Sequence, residues 1–312
     1  MNTTNIEIVV DPYSKYFADH LKKSLPRLKG MVVKGDWNQK CIGFIKENNI
    51  EALYLNYAWG WTETDYDFLN NLENIKQLEI IAQDTINLNS ISTLRGLNYL
   101  NLDIKSKVKE TIDFSQLTHL KKASFMWDDN FIDIFNCKSL VSLSTLGAKH
   151  VKPDLYGQMV NLEELIITSS NIENLEFLTR LPKLKKLELY NCKKIMDFTP
   201  ISQCEQLEWL AIEGNNSINN IDFIKHLDKI YYFNISNNKE IVSIKVLEKL
   251  ENLKALAFTD NTIIEDGDLS CLTKLPNLSM LMFNPRRHYT HKLIKNWNWN
   301  NLDNPDILLK KK

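Results

Sequence analysis

The chain has 312 residues, 44% of them hydrophobic and 25% charged, with a formal net charge of −1. That near-neutral balance excludes the broad basic footprint that general nucleic-acid binding needs. No apolar run reaches the ~18 residues of a membrane span, and Met1–Asn5 lack the basic-then-apolar order of a signal peptide. Five cysteines, an odd number without paired spacing, point to reduced thiols and a cytoplasmic compartment.

In chain order, Ile6–Val10 reads as a strand. Asn38–Asn48 reads as a helix whose apolar face holds Cys41, Ile42, Phe44 and Ile45. Residues 1–50 are therefore expected to form an N-terminal cap. From Leu53 a hydrophobic residue followed two places later by another recurs, at Leu78, Leu100, Ala123, Leu143, Leu165, Leu187, Leu210, Phe233, Leu256 and Leu281, at intervals of 20 to 25 residues. Each pair is the buried half of a short strand, because alternate side chains point to opposite faces. Residues 51–284 thus predict about eleven strands of a solenoid, in which each repeat packs on its neighbours. Cys192, Asn215, Asn238 and Asn261 stand three places after the second member of their pairs, at the sharp turn that leaves the strand. A buried amide there can satisfy backbone groups along the stack. Residues 285–312 abandon the pattern and are expected to form a C-terminal cap over the last strand's edge.

The repeat resembles the short, roughly 22-residue leucine-rich-repeat class, typified by the phosphatase-1 regulatory repeat protein and by bacterial internalins. The likeness covers about 72–284 and is loosest over 94–148, where Ala123 and Thr145 replace leucines. It implies an α/β solenoid: a horseshoe with a parallel concave sheet, short 3₁₀ or extended convex segments, and a cap at each end. No phosphatase-contact signature of the class is recognisable in this chain.

Enzyme chemistry finds little material. Cys137 and Cys204 occupy leucine positions and Cys192 a turn position, where thiols act as small hydrophobes. His288 and His291 offer two imidazoles, but zinc needs two further ligands. With 9 glycines in all there is little for a phosphate-binding loop. No catalytic residue, metal or cofactor is expected.

The residues flanking each buried pair point to the concave side, and two patches stand out there. The central one holds Glu164, Lys186, Glu188, Tyr190, Trp209, Glu213 and Tyr232. The N-terminal one holds Tyr54, Tyr99, Asn101 and Asp103, with Trp127, Asp128 and Asp129 on the following turn and Trp59 and Trp61 in a nearby loop. Tyr and Trp dominate interface hot spots. Over the concave positions five acids (Glu79, Asp103, Glu164, Glu188, Glu213) face two lysines (Lys122, Lys186), which suits a protein partner with a basic patch. Near the C-terminus Ala255, Ala257, Met280 and Met282 form an apolar area that Trp297 or Trp299 is expected to cover.

The expected function is a protein-interaction module, acting as a monomer without nucleic acid or membrane. The resemblance implies its sharpest version, a bacterial immunity or antitoxin-like protein that occludes a toxin; the Asn, Lys and Ile content is compatible with an AT-rich bacterial genome. The alternatives are a regulatory subunit for an enzyme such as a phosphatase, and a surface protein that recognises a host.

Overall fold

The computed structural model describes residues 5–10, 28–85, 87–293 and 309–311. The chain divides into two compact units at Leu140 and Val141, and each is a stretch of leucine-rich-repeat solenoid. Among the described residues, no helix is long and apolar enough to cross a membrane.

In the first unit, β1 (Asn5–Val10) pairs antiparallel with β2 (Lys29–Lys34). Strand β2 then begins a parallel array with β3 (Ala52–Asn56), β4 (Gln77–Ala82), β5 (Tyr99–Ile104) and β6 (Lys122–Met126). The sheet thus begins one strand earlier than the leucine spacing implies, inside the expected cap. Helix α1 (Gln39–Glu47) joins β2 to β3. Asn38 caps it by accepting the Lys40 N–H at 3.0 Å, and Cys41 and Ile45 are its buried side.

The second unit holds β7 (Ser142–Leu146), β8 (Glu164–Thr168), β9 (Lys186–Tyr190), β10 (Trp209–Glu213), β11 (Tyr232–Asn234), β13 (Ala255–Phe258) and β15 (Met280–Phe283) in one parallel array. A small second sheet pairs β12 (Glu240–Ile241) with β14 (Ile263–Ile264). All eleven strands expected from the leucine spacing are present at their expected positions. Register keeps the hydrophobic column in phase: Leu165, Leu187, Leu210, Phe233, Leu256 and Leu281 are successive partners, all almost fully buried. One short helix, α2 (Pro153–Tyr156), and 3₁₀ turns such as Glu176–Arg180 and Thr199–Gln203 return the chain to the next strand. They bury Tyr156, Phe177, Leu178, Pro200 and Ile201 from the side opposite the sheet's open face.

A polar ladder runs beneath the turns of this unit. Asn238, fully buried, donates to the carbonyls of Ile212 (2.7 Å) and Ile235 (2.8 Å) and accepts the Asn215 N–H at 2.8 Å. Its own N–H goes to Thr262 Oγ1 at 3.0 Å. Asn215 donates to Leu189 and Glu213 carbonyls, Cys192 Sγ lies 3.4 Å from the Ile167 carbonyl, and Ser170 Oγ donates to Ala148 at 2.8 Å. Asn261 does not join the ladder. It is exposed, and Thr262 takes the place, buried to 1% and bonded to the Ile235 carbonyl at 2.6 Å. This turn is one residue longer: left-handed Asp260 (φ 58°) stands two places before the ladder residue, whereas Asn237 (φ 54°) stands one place before Asn238. Gly214 fills the same left-handed place before Asn215 (φ 67°), and a Cβ there would collide with Asn191 Oδ1. Gly214→Ala is accordingly expected to lower stability by about 1–3 kcal/mol in urea titrations.

The C-terminal segment docks on the last turn through Tyr289, which is 2% exposed. Its hydroxyl accepts the Ile264 N–H at 3.0 Å, and its ring stands edge-on to Phe283 (5.8 Å) and Phe258 (6.4 Å), which stack on each other at 4.9 Å. His288 Nε2 meets the Ile264 carbonyl at 2.8 Å, and Thr290 Oγ1 accepts the Leu269 N–H at 3.0 Å. Strand β16 (His291–Leu293) pairs antiparallel with β17 (Leu309–Lys311), so these two strands form a separate sheet rather than an added strand on β15. Ala255, Ala257 and Met280 are buried; Trp297 and Trp299 lie outside the described residues.

Candidate partner-binding face

The common phase of β8 to β11 sets three rows on the open face of the second unit's sheet. Glu164, Lys186, Trp209 and Tyr232 are successive register partners. Next to them run Ile166, Glu188, Ala211 and Asn234. The third row holds Leu146, Thr168, Tyr190 and Glu213. The structure therefore brings together all seven residues of the central patch, and adds Asn234 and Leu146.

Their contacts divide them into an inner set and an outer set. Lys186 and Glu188 are 8% and 7% exposed, and their charges meet at 3.2 Å. Glu188 also accepts the Trp209 indole N–H at 2.8 Å, and Lys186 Nζ lies 5.1 Å from the Trp209 ring centre. Strand order places Tyr232 on the other side of that indole, stacked at 3.5 Å and 7°. Tyr231 meets the indole edge-on at 6.1 Å. Trp209 is thus clamped rather than free to insert into a partner. Lys186→Met is expected to lower stability by about 3 kcal/mol, because it leaves a buried carboxylate without its cation. The double change Lys186→Met with Glu188→Gln should recover most of that loss in thermal melts.

The outer set is Glu164, Tyr190, Glu213 and Tyr232, all half-buried. Glu164 accepts from Ser142 Oγ at 2.8 Å, and Glu213 accepts from Asn234 Nδ2 at 2.6 Å. Burial, then the charges of Glu188 and Glu213, hold the Tyr190 hydroxyl well above the ordinary phenol range; its hydrogen bond to Glu188 acts the same way. Burial pushes Tyr232 up to about 12, so both hydroxyls stay protonated. Glu213 is pushed upward by burial and by the like charges of Glu188 and Asp260, against the pull of its Asn234 bond.

The groups facing Glu213 are Glu188 and Tyr190 on β9, Tyr232 and Asn234 on β11 and Asp260 on the turn after β13. A carboxyl whose pKa rises on folding favours the folded state at low pH. That contribution is lost as pH rises from the ordinary carboxylate value through the raised one. Glu213→Gln should flatten this slope in urea midpoints measured against pH. At neutral pH it should raise stability by less than about 1 kcal/mol, since the site is half open to screening water.

The N-terminal patch is more internal than its sequence suggests. Tyr54 packs with Val32 and Ala52 in a buried cluster joined by Leu28 and Trp59. Glu79 is 2% exposed and accepts from Asn101 at 3.1 Å. Burial, then Glu79 and Tyr54, raise the Tyr99 hydroxyl. Asp103 pairs with Lys105 at 2.9 Å. Asp128 is occupied by the scaffold: it accepts the N–H groups of Asn130 (2.9 Å) and Val108 (3.0 Å). Trp127 donates to Asp129 at 3.1 Å and packs on Phe135. Trp61 is a core residue, 2% exposed, among Trp37, Tyr66 and Phe68. Both lysines of the expected face, Lys122 and Lys186, are buried, as are Glu79 and Glu188. The partly open charges left on it are Asp103, Glu164 and Glu213, all acidic.

All five cysteines are buried and free of disulfides. Burial holds Cys204 and Cys271 up at about 12, so both remain thiols and poor nucleophiles. Among the described residues no cluster of His, Cys, Asp and Glu could hold a metal ion.

No family model and no curated protein matches the sequence. Solved structures match the fold. An internalin, InlF, from Listeria monocytogenes superposes with a TM-score of 0.57 at 21% identity, over 86% of this chain and 89% of that one. A leucine-rich-repeat protein from Leptospira interrogans gives 0.53 at 16% identity, over 80% and 75%. The leucine-rich-repeat ectodomain of the plant receptor kinase GASSHO1/SCHENGEN3 from Arabidopsis thaliana, in complex with CASPARIAN STRIP INTEGRITY FACTOR 2, gives 0.55 at 17% identity, over 80% of this chain and 32% of that one. Repeat spacing, in-phase parallel strands and these likenesses agree: the chain has the leucine-rich-repeat fold.

Proposed function

We propose that this chain is a protein-interaction module that binds its partner on the open face of β8 to β11. The observation that carries the reading is the outer set itself. Tyr190, Tyr232, Glu164 and Glu213 are half-open on adjacent strands, above an inner set that fixes their positions. Rigid aromatic groups lose little entropy on binding, and fixed carboxylates select a cationic surface. The similar plant receptor ectodomain was solved in complex with CASPARIAN STRIP INTEGRITY FACTOR 2, which supports binding as a use of this fold. The finer version of the proposal is occlusion: a cytoplasmic monomer covers a basic patch of a toxin, as an immunity protein would.

The test is capture from the native host followed by mass spectrometry. A specific protein recovered by the wild-type chain and lost with Tyr190→Ser plus Glu213→Lys is the expected result. Recovery that ignores both changes contradicts the assignment of the face, and turnover of a substrate by the purified chain contradicts the non-enzymatic reading.

A further inference from the structure

Charge on this face is unevenly compensated. Glu188 has the Lys186 ammonium at 3.2 Å, the Trp209 indole N–H at 2.8 Å and the Tyr190 hydroxyl. Glu213 lies between the negative charges of Glu188 and Asp260, and among the described residues it accepts one hydrogen bond, from the neutral Asn234. No described ion pair reaches it, although Lys186 serves its neighbour one strand away. Around it stand flat, protonated aromatic groups. Tyr190 is its register partner, and the Tyr232 hydroxyl lies 3.5 Å from the same Asn234 Nδ2 that bonds Glu213. A half-buried carboxylate with an open side and aromatic walls lacks one thing, a planar cation.

We infer that the Glu213 carboxylate, walled by Tyr190 and Tyr232, is the seat for an arginine side chain of the partner protein. Arginine fits better than lysine for two reasons. Its guanidinium stacks flat on phenol rings, and it is more weakly hydrated than an ammonium, so entering a half-buried site costs it less water. The molecule already shows the arrangement in miniature, since Lys186 sits over Trp209 beside Glu188. The exposed Leu146, 42% open at the far end of the same row, gives the flanking residues of such a segment an apolar landing place.

This inference rests on the reading of the face as a binding surface, but it can fail separately. The probe is the blocked tripeptide acetyl-Gly-Arg-Gly-amide, titrated into the full chain while the Trp209 indole N–H resonance is followed by NMR; its lysine counterpart serves as comparison. The expected result is saturable binding in the millimolar range, about 5-fold weaker for the lysine peptide. Glu213→Gln should weaken the arginine peptide by at least about 10-fold, as expected for loss of a charge-assisted contact, and Glu240→Gln, on the separate β12–β14 sheet, should change little. Three outcomes overturn the inference: no shift up to about 50 mM peptide, an affinity worth under ~2 kcal/mol; equal binding of both peptides; or a Glu213→Gln protein that binds as wild type. If a captured partner places no arginine at Glu213, the face stands and the seat falls. If the peptide binds as stated and no partner is captured, the seat stands and the wider function falls.

Discussion

Asn238→Ala is expected to cost about 3–5 kcal/mol, the largest loss from any single change considered. The side chain is fully buried and closes three backbone groups at once, the Ile212 and Ile235 carbonyls and the Asn215 N–H. Truncation strands the Ile212 carbonyl and the Asn215 N–H in a dry turn and leaves the Ile235 carbonyl only its Thr262 bond, and each buried orphan costs about 1–3 kcal/mol. Asn238→Asp should fare no better, because a carboxylate cannot donate to two carbonyls. The measurement is the urea midpoint with its slope. A fall in midpoint with a lower slope would indicate that the repeats have begun to unfold in separate blocks, as a solenoid with a broken interface can.

Glu213→Lys is expected to weaken capture of a basic partner by at least about 100-fold while barely moving the melting temperature, since truncating or reversing one member of a close charge pair at an interface costs about 2–5 kcal/mol. The fold tolerates the change because an ammonium at this position enters the field of Glu188 and Asp260, which now acts in its favour. Two stability arguments separate this position from its neighbours. Trp209 cannot serve as a clean probe, because its indole is stacked on Tyr232 and bonded to Glu188. Changing it to alanine removes an aromatic pair worth about 0.5–1.5 kcal/mol beyond its buried area. Lys186 is excluded for the same reason, being an internal ion-pair partner.

The architecture was written in the sequence because period-2 alternation and a repeat of about 22 residues leave one phase for every strand. That phase placed Glu164, Lys186, Trp209 and Tyr232 in one row, as the register shows. Which members of a row remain open was not legible. Lys186 and Glu213 both flank a buried pair, yet one lies beneath an indole and the other does not; the difference comes from side chains on the next strand, at 209 and 232. Strand β2 was missed although Met31 and Val33 keep the hydrophobic spacing and pair with Leu53 and Leu55, because neither is a leucine and the segment was read as part of a cap. The ladder was half read. Asn215 and Asn238 matched the amide rule, whereas Ser170 and Thr262 perform the same task with hydroxyls, and the longer turn at Asp260 displaced Asn261 from its expected place. Asp128 looked like a surface acid because the strain of an uncapped 3₁₀ turn is invisible in a residue count; in the fold it caps that turn.

The most direct measurement is site-specific photo-crosslinking with benzoylphenylalanine placed at Tyr190 in one variant and at Met196 in another. Met196 is 74% exposed in the turn that leaves β9, so it offers the more accessible apolar surface of the two. Partner crosslinks from position 190, absent or far weaker from 196, are the result predicted by binding on the open sheet face. Crosslinks that form equally well or better from 196 would contradict it.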